Sequence, residues 1–170
     1  MKKNLLLLTI AMLAGSIMFL TSCKKDEEEE EGPQEVIADD NTFKDFQNWV
    51  LEAQEQGPDP ALGPAHQGND STVTRFVYFK DGQDPVNGTY PIGTMIVKES
   101  KNPDESIREL TAMVKRGNGF DPDNNDWEWF MLAPDGSIAR NENNEQVRGA
   151  IGMCTSCHMQ NTATDYVFSK

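Results

Sequence analysis

Two cysteines and a histidine near the C-terminus form the pattern with the clearest chemistry in this sequence. Cys154 and Cys157 are separated by two residues, and His158 follows directly. On a helix this gap is about one turn, so both sulfurs could bond as thioethers to the vinyl groups at one edge of a porphyrin. His158 would then lie under the iron as its proximal ligand. The pattern predicts covalent attachment of haem c through these three residues.

A structural zinc site and a redox disulfide are the two alternatives. The chain has three cysteines and two histidines, and their spacing does not fit a zinc finger. A redox Cys-x-x-Cys pair is compatible with a compartment outside the cytoplasm. It leaves His158 without a role, however, and lacks the strand-then-helix setting of a thioredoxin fold. Haem is the alternative that uses all three residues.

The start of the chain predicts export and lipid anchoring. Lys2 and Lys3 precede an apolar run at residues 5–20, which is typical of a secretory signal over residues 1–22. The sequence "LTSC" resembles the lipoprotein cleavage box of bacteria, in which Cys23 would become the acylated N-terminus. An uncleaved anchor helix is the alternative, although the apolar run is short for a membrane span. We expect a lipid membrane to be one partner, through Cys23.

An acidic run at residues 26–31 follows the cysteine, and residues 23–40 are predicted to form an acidic, disordered tether. Such a patch resembles the surface-export signal of lipoproteins in some Gram-negative bacteria; a plain spacer is the alternative. We therefore expect anchoring to the outer membrane of a Gram-negative bacterium, on its periplasmic face or at the cell surface. The net charge of −13 and the lack of a basic patch exclude a nucleic-acid-binding protein.

Residues 41–170 are predicted to form one haem domain of the α+β class, an antiparallel β-sheet packed with helices. Residues 41–56 place Phe43, Phe46, Val50 and Ala53 on one face, which predicts an amphipathic helix. Short segments between turn signals then predict strands: "STVTRFVYFK", residues 94–99, the segment with Trp127 and Trp129, and "SIARN". "SIRELTAMVKR" is ambiguous between helix and strand. Residues 141–158 predict a last helix that ends in the haem motif.

The sixth ligand of the iron is not specified by the motif. Each of three upstream methionines lies in an apolar run, where methionine is more often core filler; these are Met95, Met113 and Met131. His66 is the other histidine of the chain, and loop histidines are mostly solvated or hydrogen-bonded. We expect an iron that is five-coordinate or open to a small ligand, with a methionine or His66 as the alternative ligands.

Four stretches carry a resemblance to a known family. They are "TRFVYF" (74–79), "YPIGTMIVKES" (90–100), "NNDWEWFML" (124–132) and "CTSCHMQNTATDYVF" (154–168). In this order and spacing they resemble the cytochrome P-460 family, together with its sibling, the β-sheet cytochrome c-prime-beta. The resemblance covers residues 41–170 and implies a homodimer.

The resemblance also implies roles for individual residues. Cys154, Cys157 and His158 would attach the haem and bind its iron. Lys98 stands where the P-460 branch has a lysine cross-linked to a meso carbon of the haem, a bond that the c-prime-beta branch lacks; a lysine facing solvent is the alternative. Arg75 stands where the family has an arginine of the distal pocket, and a salt bridge on an edge strand is the alternative. The distal acid is not placed, and its candidates are Glu99, Glu142 and Glu145.

Three functions follow from these expectations. In the first, Lys98 and Arg75 are catalytic in the oxidation of hydroxylamine or nitric oxide, and electrons pass to an acceptor protein. In the second, the haem binds nitric oxide or another diatomic gas without catalysis, under an apolar lid drawn from Phe76, Phe79, Phe120 and Phe130. In the third, the protein is a surface electron-transfer haem lipoprotein.

Overall fold

A six-stranded antiparallel β-sheet is the frame of the molecule. The computed structural model describes residues 34–168, which all fall in one compact unit. Each strand pairs with the next one along the chain, in the order β1 to β6. The strands are β1 (Val50–Gln56), β2 (Thr74–Phe79), β3 (Met95–Lys101), β4 (Ile107–Lys115), β5 (Trp127–Met131) and β6 (Arg148–Gly149). One α-helix near the C-terminus, α1 (Gly152–His158), completes the expected α+β arrangement.

Short 3₁₀ turns connect these elements at Phe46–Asn48, Ala65–Gln67, Lys80–Gly82, Pro122–Asn124 and Thr162–Thr164. Within residues 34–168 no helix is long and apolar enough to cross a membrane. The predicted signal peptide, the predicted lipidation site at Cys23 and the acidic run lie outside the described residues.

Alternation along the strands gives the sheet two different faces. On β2 the side chains of Arg75, Val77 and Phe79 are buried, while the intervening residues are half-buried. This confirms the period of two that the sequence predicted there. We call the face that packs against α1 the motif face and the opposite one the closed face.

The closed face is covered by the chain segment before β1. Phe43 is fully buried there, and its ring centre lies 5.1 Å from that of Phe130 and 6.3 Å from that of Trp49. The buried cluster on this face comprises Ala38, Phe43, Phe46, Met95, Val97, Leu110, Ala112, Val114, Phe130, Leu132 and Ile138. Each Å² of apolar surface that this cluster removes from water stabilises the fold by about 25 cal/mol.

The helix predicted over residues 41–56 is wrong. Phe43 and Phe46 are buried as expected, but in a turn and a 3₁₀ turn, and β1 begins at Val50. Val50 is 48% exposed, whereas Ala53 packs against the cluster of the motif face. A spacing of three residues fits a 3₁₀ turn as well as an α-helix, so the pattern did not distinguish them.

Only the second part of the helix predicted over residues 141–158 is present. Residues 152–158 are helical, but residues 141–149 form a tight turn and β6. The side-chain Oδ1 of Asn141 accepts hydrogen bonds from the backbone N–H groups of Asn143 (2.9 Å) and Glu145 (3.0 Å). This local bonding competes with a helix, which is why asparagine favours turns. The ambiguous segment at 107–115 is strand β4, and "SIARN" makes two isolated bridges.

The packed chain begins before residue 41, the boundary expected from sequence. Ala38 is 2% exposed, and its carbonyl accepts a 2.6 Å hydrogen bond from Arg148. Glu35 forms a 2.7 Å ion pair with Arg116. Residues 35–40 therefore belong to the folded domain and not to the tether.

Candidate haem site

A buried ion pair fastens the segment that follows α1 to the motif face. The Asp165 carboxylate is 2.9 Å from Lys115 Nζ and accepts a 2.7 Å hydrogen bond from the backbone N–H of Tyr90. The indole of Trp127 donates to the backbone carbonyl of Asp165 at 2.8 Å. A buried carboxylate is costly without such partners. These contacts hold the neighbouring carbonyl of Tyr166 in place.

His158, at the C-terminal end of α1, is held in the form that binds metals. Its Nδ1–H donates a 2.6 Å hydrogen bond to the carbonyl of Tyr166. Burial lowers the pKa of His158 to about 4, so the imidazole is neutral at physiological pH. Metal-binding histidines use one nitrogen for the metal and give the other to a carbonyl or carboxylate. Nε2 is therefore the nitrogen available to iron.

The two cysteines of α1 lie one turn apart and are free thiols. Burial, with the negative charge of Glu109 as a second cause, raises the pKa of Cys154 to about 11. Reactive redox cysteines have lowered pKa values because the thiolate is the nucleophile. The surroundings of Cys154 thus disfavour the disulfide alternative.

A cavity of about 640 Å³ lies between α1 and the motif face, and it is open to solvent. Cys154, Cys157 and His158 all line it. Its other walls are mostly apolar and include Val77, Ile96, Met113, Trp129, Val167 and Phe168.

The residues of this cavity fit a covalently bound haem. Two thiols stand at the spacing of the two thioether bonds, and the neutral imidazole of His158 has Nε2 available. The indole N–H of Trp129 is buried without an acceptor in the described part of the chain. A buried donor of this kind costs about 1–3 kcal/mol unless a bound group supplies the acceptor.

Lys98 and Arg75 lie beside each other on the motif face. Lys98 lines the cavity, and burial, followed by the positive charge of Arg75, lowers its pKa to about 8. Arg75 is 3% exposed; its Nη2 donates to the carbonyl of Gly57 at 2.7 Å, and its Nη1 has no partner among residues 34–168. Lys98 is therefore half-buried at the cavity and is not a fully exposed strand lysine. β2 lies between β1 and β3, so Arg75 is not on an edge strand.

A second, more polar cavity adjoins the first. It has about 750 Å³ of space and shares four lining residues with the apolar cavity, namely Leu62, Val77, Lys98 and Phe168. Charged groups line it: Glu55, Asp59, Arg75 and Lys98. This polar cavity therefore places charged side chains beside Lys98.

The residues predicted as a methionine ligand of the iron or as the distal acid lie in different parts of the molecule. Met113 lines the apolar cavity, whereas Met95 belongs to the closed face and Met131 is half-buried on β5. Glu99 is fully buried on the closed face, 3.5 Å from Lys101. Glu142 and Glu145 are exposed in the turn before β6. None of these three acids lines either cavity.

Of the four phenylalanines considered for an apolar lid, Phe130 lines the cavity, and Phe168 lies there as well. Phe79 is buried in the cluster of the motif face, and Phe120 is 37% exposed beside Arg116. Phe76 stacks beside Tyr78 with ring centres 6.3 Å apart. Of the four rings from which the lid could be drawn, the structure therefore places only Phe130 at this cavity.

Sequence reasoning missed a pair formed by His66 and Glu109. His66 lines the apolar cavity, and its Nδ1 is 2.8 Å from Glu109 Oε1. Its side chain is 18% exposed, so it is not a solvated loop histidine. Its ring centre lies 6.2 Å from that of His158, with the two planes at 88°. Glu109, Thr111 and Met113 stand at every second position of β4 and therefore lie on the same side of the strand. This spacing could have indicated that Glu109 belongs to the site.

Comparison with known protein families gives a match over most of the chain. The family model of cytochrome P460 matches residues 43–169, a range that includes the cysteine–histidine motif, Lys98, Arg75 and the His66–Glu109 pair. A search of curated proteins found no match. Proteins of the matched family are haem c proteins with iron, and covalent attachment is consistent with that family. The chain belongs to the cytochrome P460 family and is a c-type haem protein.

Proposed function

We propose that this protein carries out redox chemistry on small nitrogen compounds, oxidising hydroxylamine or nitric oxide and passing the electrons to an acceptor protein. One observation carries the proposal: Lys98 lies in the same cavity as Cys154, Cys157 and His158. A bound haem supplies an iron that accepts electrons one at a time. Cys154 and Cys157 would attach it, and His158 Nε2 would bind the iron.

The surroundings of Lys98 support its proposed bond to a haem meso carbon. A pKa of about 8 gives this amine a far larger neutral fraction near neutral pH than an ordinary lysine has. The neutral form has the free electron pair that a carbon–nitrogen bond requires. Forming that bond breaks the meso C–H and one N–H bond and releases two protons and two electrons, so maturation would also need a two-electron oxidant such as a peroxide. Such a cross-link would distort the macrocycle and change the reactivity of the iron.

Arg75 and the polar cavity support binding of the substrate. Conversion of hydroxylamine to nitric oxide releases three electrons and three protons, so the site needs proton acceptors as well as an electron acceptor. The Nη1 group of Arg75 lacks a partner in the described chain and could donate to the oxygen of hydroxylamine. The carboxylates of Glu55 and Asp59 line the polar cavity and could accept protons on their way to solvent.

A non-enzymatic nitric oxide or diatomic gas binder is the second candidate. The apolar walls of the first cavity favour it, because neutral diatomic gases need no polar partner. Val77, Ile96 and Met113 supply such walls. This candidate needs no bond between Lys98 and the haem. Attachment to the outer membrane through Cys23 and assembly as a homodimer remain part of the proposal on sequence grounds.

The test is a haem-peptide map of the exported holoprotein, together with a hydroxylamine titration. We expect one haem peptide that joins residues 154–158 to Lys98, and reduction of the ferric haem by hydroxylamine when an electron acceptor is present. Lys98→Met should lose both, whereas Lys44→Met, at an exposed lysine, should lose neither. A free Lys98 with a ferric spectrum that hydroxylamine leaves unchanged would refute the enzyme. Nitric oxide binding would then test the second candidate.

A further inference from the structure

We infer that His66 is the sixth ligand of the haem iron, opposite His158, so that the distal site is closed at rest. The inference deepens the proposed function and rests on its haem site. Any small nitrogen compound would have to displace His66 before it could bind. The argument rests on the geometry of the two rings, on their hydrogen bonds and on the loop that carries His66.

The two imidazole rings are spaced as ligands of one metal would be. Their centres are 6.2 Å apart and their planes are nearly perpendicular, at 88°. Two imidazole nitrogens bound to one metal at about 2.0 Å place the ring centres about 6 Å apart. Ordinary aromatic contacts also occur at this distance, so the hydrogen bonds of the rings must distinguish the two cases.

Both rings use the same nitrogen for a hydrogen bond within the protein. His66 Nδ1 is 2.8 Å from Glu109 Oε1, and His158 Nδ1 is 2.6 Å from the carbonyl of Tyr166. Gln67 Nε2 donates to the second oxygen of Glu109 at 3.2 Å, which fixes the carboxylate. A carboxylate or carbonyl on Nδ1 is the usual arrangement behind a metal-binding histidine. Nε2 is thus left available on both rings.

The loop that carries His66 holds it in an unusual backbone conformation. His66 has φ 50° and ψ 34°, in the left-handed region that few non-glycine residues adopt. Its carbonyl accepts a hydrogen bond from Ser100 Oγ at 3.3 Å. A Cβ atom at Gly68 would lie 2.6 Å from both Gly63 O and Leu62 Cβ, so the turn requires glycine there. Strain of this kind persists where surrounding contacts impose it, often at functional sites.

His66 is also better placed than Met113, the methionine that lines the same cavity. Met113 lies on the central strand β4, 5% exposed, and packs in the apolar cluster with Trp127 and Trp129. His66 lies on the connection between β1 and β2, outside the paired strands, so displacing its side chain breaks no strand pairing. A ligand on a loop can leave and return, and this would let a substrate reach the iron.

The test is the spin state of the ferric holoprotein. Near-infrared magnetic circular dichroism and electron paramagnetic resonance of the wild type should give a low-spin iron with two imidazole ligands. His66→Ala should become high-spin and return to low-spin when imidazole is added. It should also bind carbon monoxide in the ferrous state about 10-fold faster or more, because the competing ligand is gone. Met113→Leu, the matched control, should keep the wild-type spectrum.

A high-spin wild type would overturn the inference, as would a low-spin spectrum that His66→Ala leaves unchanged or an imidazole–thioether pair that Met113→Leu abolishes. The wild-type spectra identify the ligand pair even if His66→Ala does not fold. The spin state and the oxidation of hydroxylamine together distinguish failure of this inference from failure of the proposed function. Low-spin iron that depends on His66 without hydroxylamine oxidation would support the ligand and refute the enzyme, and high-spin iron with hydroxylamine oxidation would do the reverse.

Discussion

The two faces of the sheet are stabilised in different ways. The closed face is filled by side chains such as Phe43, Phe130 and Val97, each at most 1% exposed. The motif face keeps a cavity of about 640 Å³ and is fastened at its rim by the buried pair of Asp165 and Lys115. A face that keeps a cavity of this kind cannot rely on packing alone. Polar anchors around the space replace part of the missing apolar contacts.

Strand β3 shows how sharply the two environments are separated. Val97 and Glu99 lie on the closed face, while Lys98 between them lines the cavity. Lys98 pairs with Val77 on one side and with Thr111 on the other. A shift of one residue in the register of β3 would move all three side chains to the opposite face of the sheet. Pairing with both neighbouring strands therefore decides which side chain reaches the haem site.

The largest expected effect comes from breaking the polar anchor of the motif face. Asp165→Asn would leave the Lys115 ammonium buried without its counter-ion, at a cost of about 3–5 kcal/mol in the free energy of unfolding. Urea denaturation measures this loss. The control is Asp123→Asn, at an exposed position, which should stay within about 0.5 kcal/mol of wild type. A loss below about 1 kcal/mol for Asp165→Asn would contradict the proposed role of the anchor.

A matched pair of valines tests the packing of the two faces directly. Val97 is fully buried on the closed face, and Val77 lines both cavities. Val97→Ala should lower the free energy of unfolding by about 2 kcal/mol because it creates a new void. Val77→Ala should lower it by about 1 kcal/mol because it enlarges existing space. Denaturant midpoints of the two holoproteins give the comparison. Equal losses would mean that the two faces are packed alike.

The smallest expected effect is an opposite response of the two faces to alkaline pH. Burial, and then the charge of Glu99, raises the pKa of Tyr78 on the closed face from 10.0 to about 12. The unfolded chain then releases this proton first. The stability that Tyr78 contributes is complete below pH 10 and is lost as the pH rises towards 12. Tyr78→Phe should remove this decline in the denaturation midpoint.

On the motif face, Lys98 gives stability the opposite dependence on pH. The pKa of Lys98 falls from 10.5 in the unfolded chain to about 8 in the folded protein, so the folded protein releases the proton first. The penalty of burying the ammonium is complete below pH 8 and is relieved between pH 8 and 10.5. In the haem-free protein, where Lys98 is a free amine, stability should rise in this pH range, and Lys98→Met should abolish the rise. A flat profile in the haem-free wild type would contradict the burial of the Lys98 ammonium.

The sheet could be predicted from sequence because alternation within each strand is a local property. Arg75, Val77 and Phe79 are buried as their spacing predicts. The helix at residues 41–56 could not be excluded locally. Phe43 and Phe46 bury their rings against Phe130 and Tyr78, which lie on strands far along the chain. Tertiary packing, and not local periodicity, decides the conformation of that segment.

The site was predictable only where the chemistry lies in a short motif. Cys154, Cys157 and His158 share one helix, and the alternation of β3 sets the side on which Lys98 lies. The contact between His66 and Glu109 joins residues 43 positions apart and depends on how the loop before β2 crosses to β4. The backbone carbonyl that orients His158 has no sequence signature at all.

The order of the strands also has a consequence for biogenesis. Because every strand pairs with its predecessor in the chain, each pairing closes a short loop and costs little chain entropy. Because α1 follows β6 in the chain, all six strands can pair before the helix with Cys154 and Cys157 packs against the motif face. The helix that would carry the haem would then be the last element to join the fold.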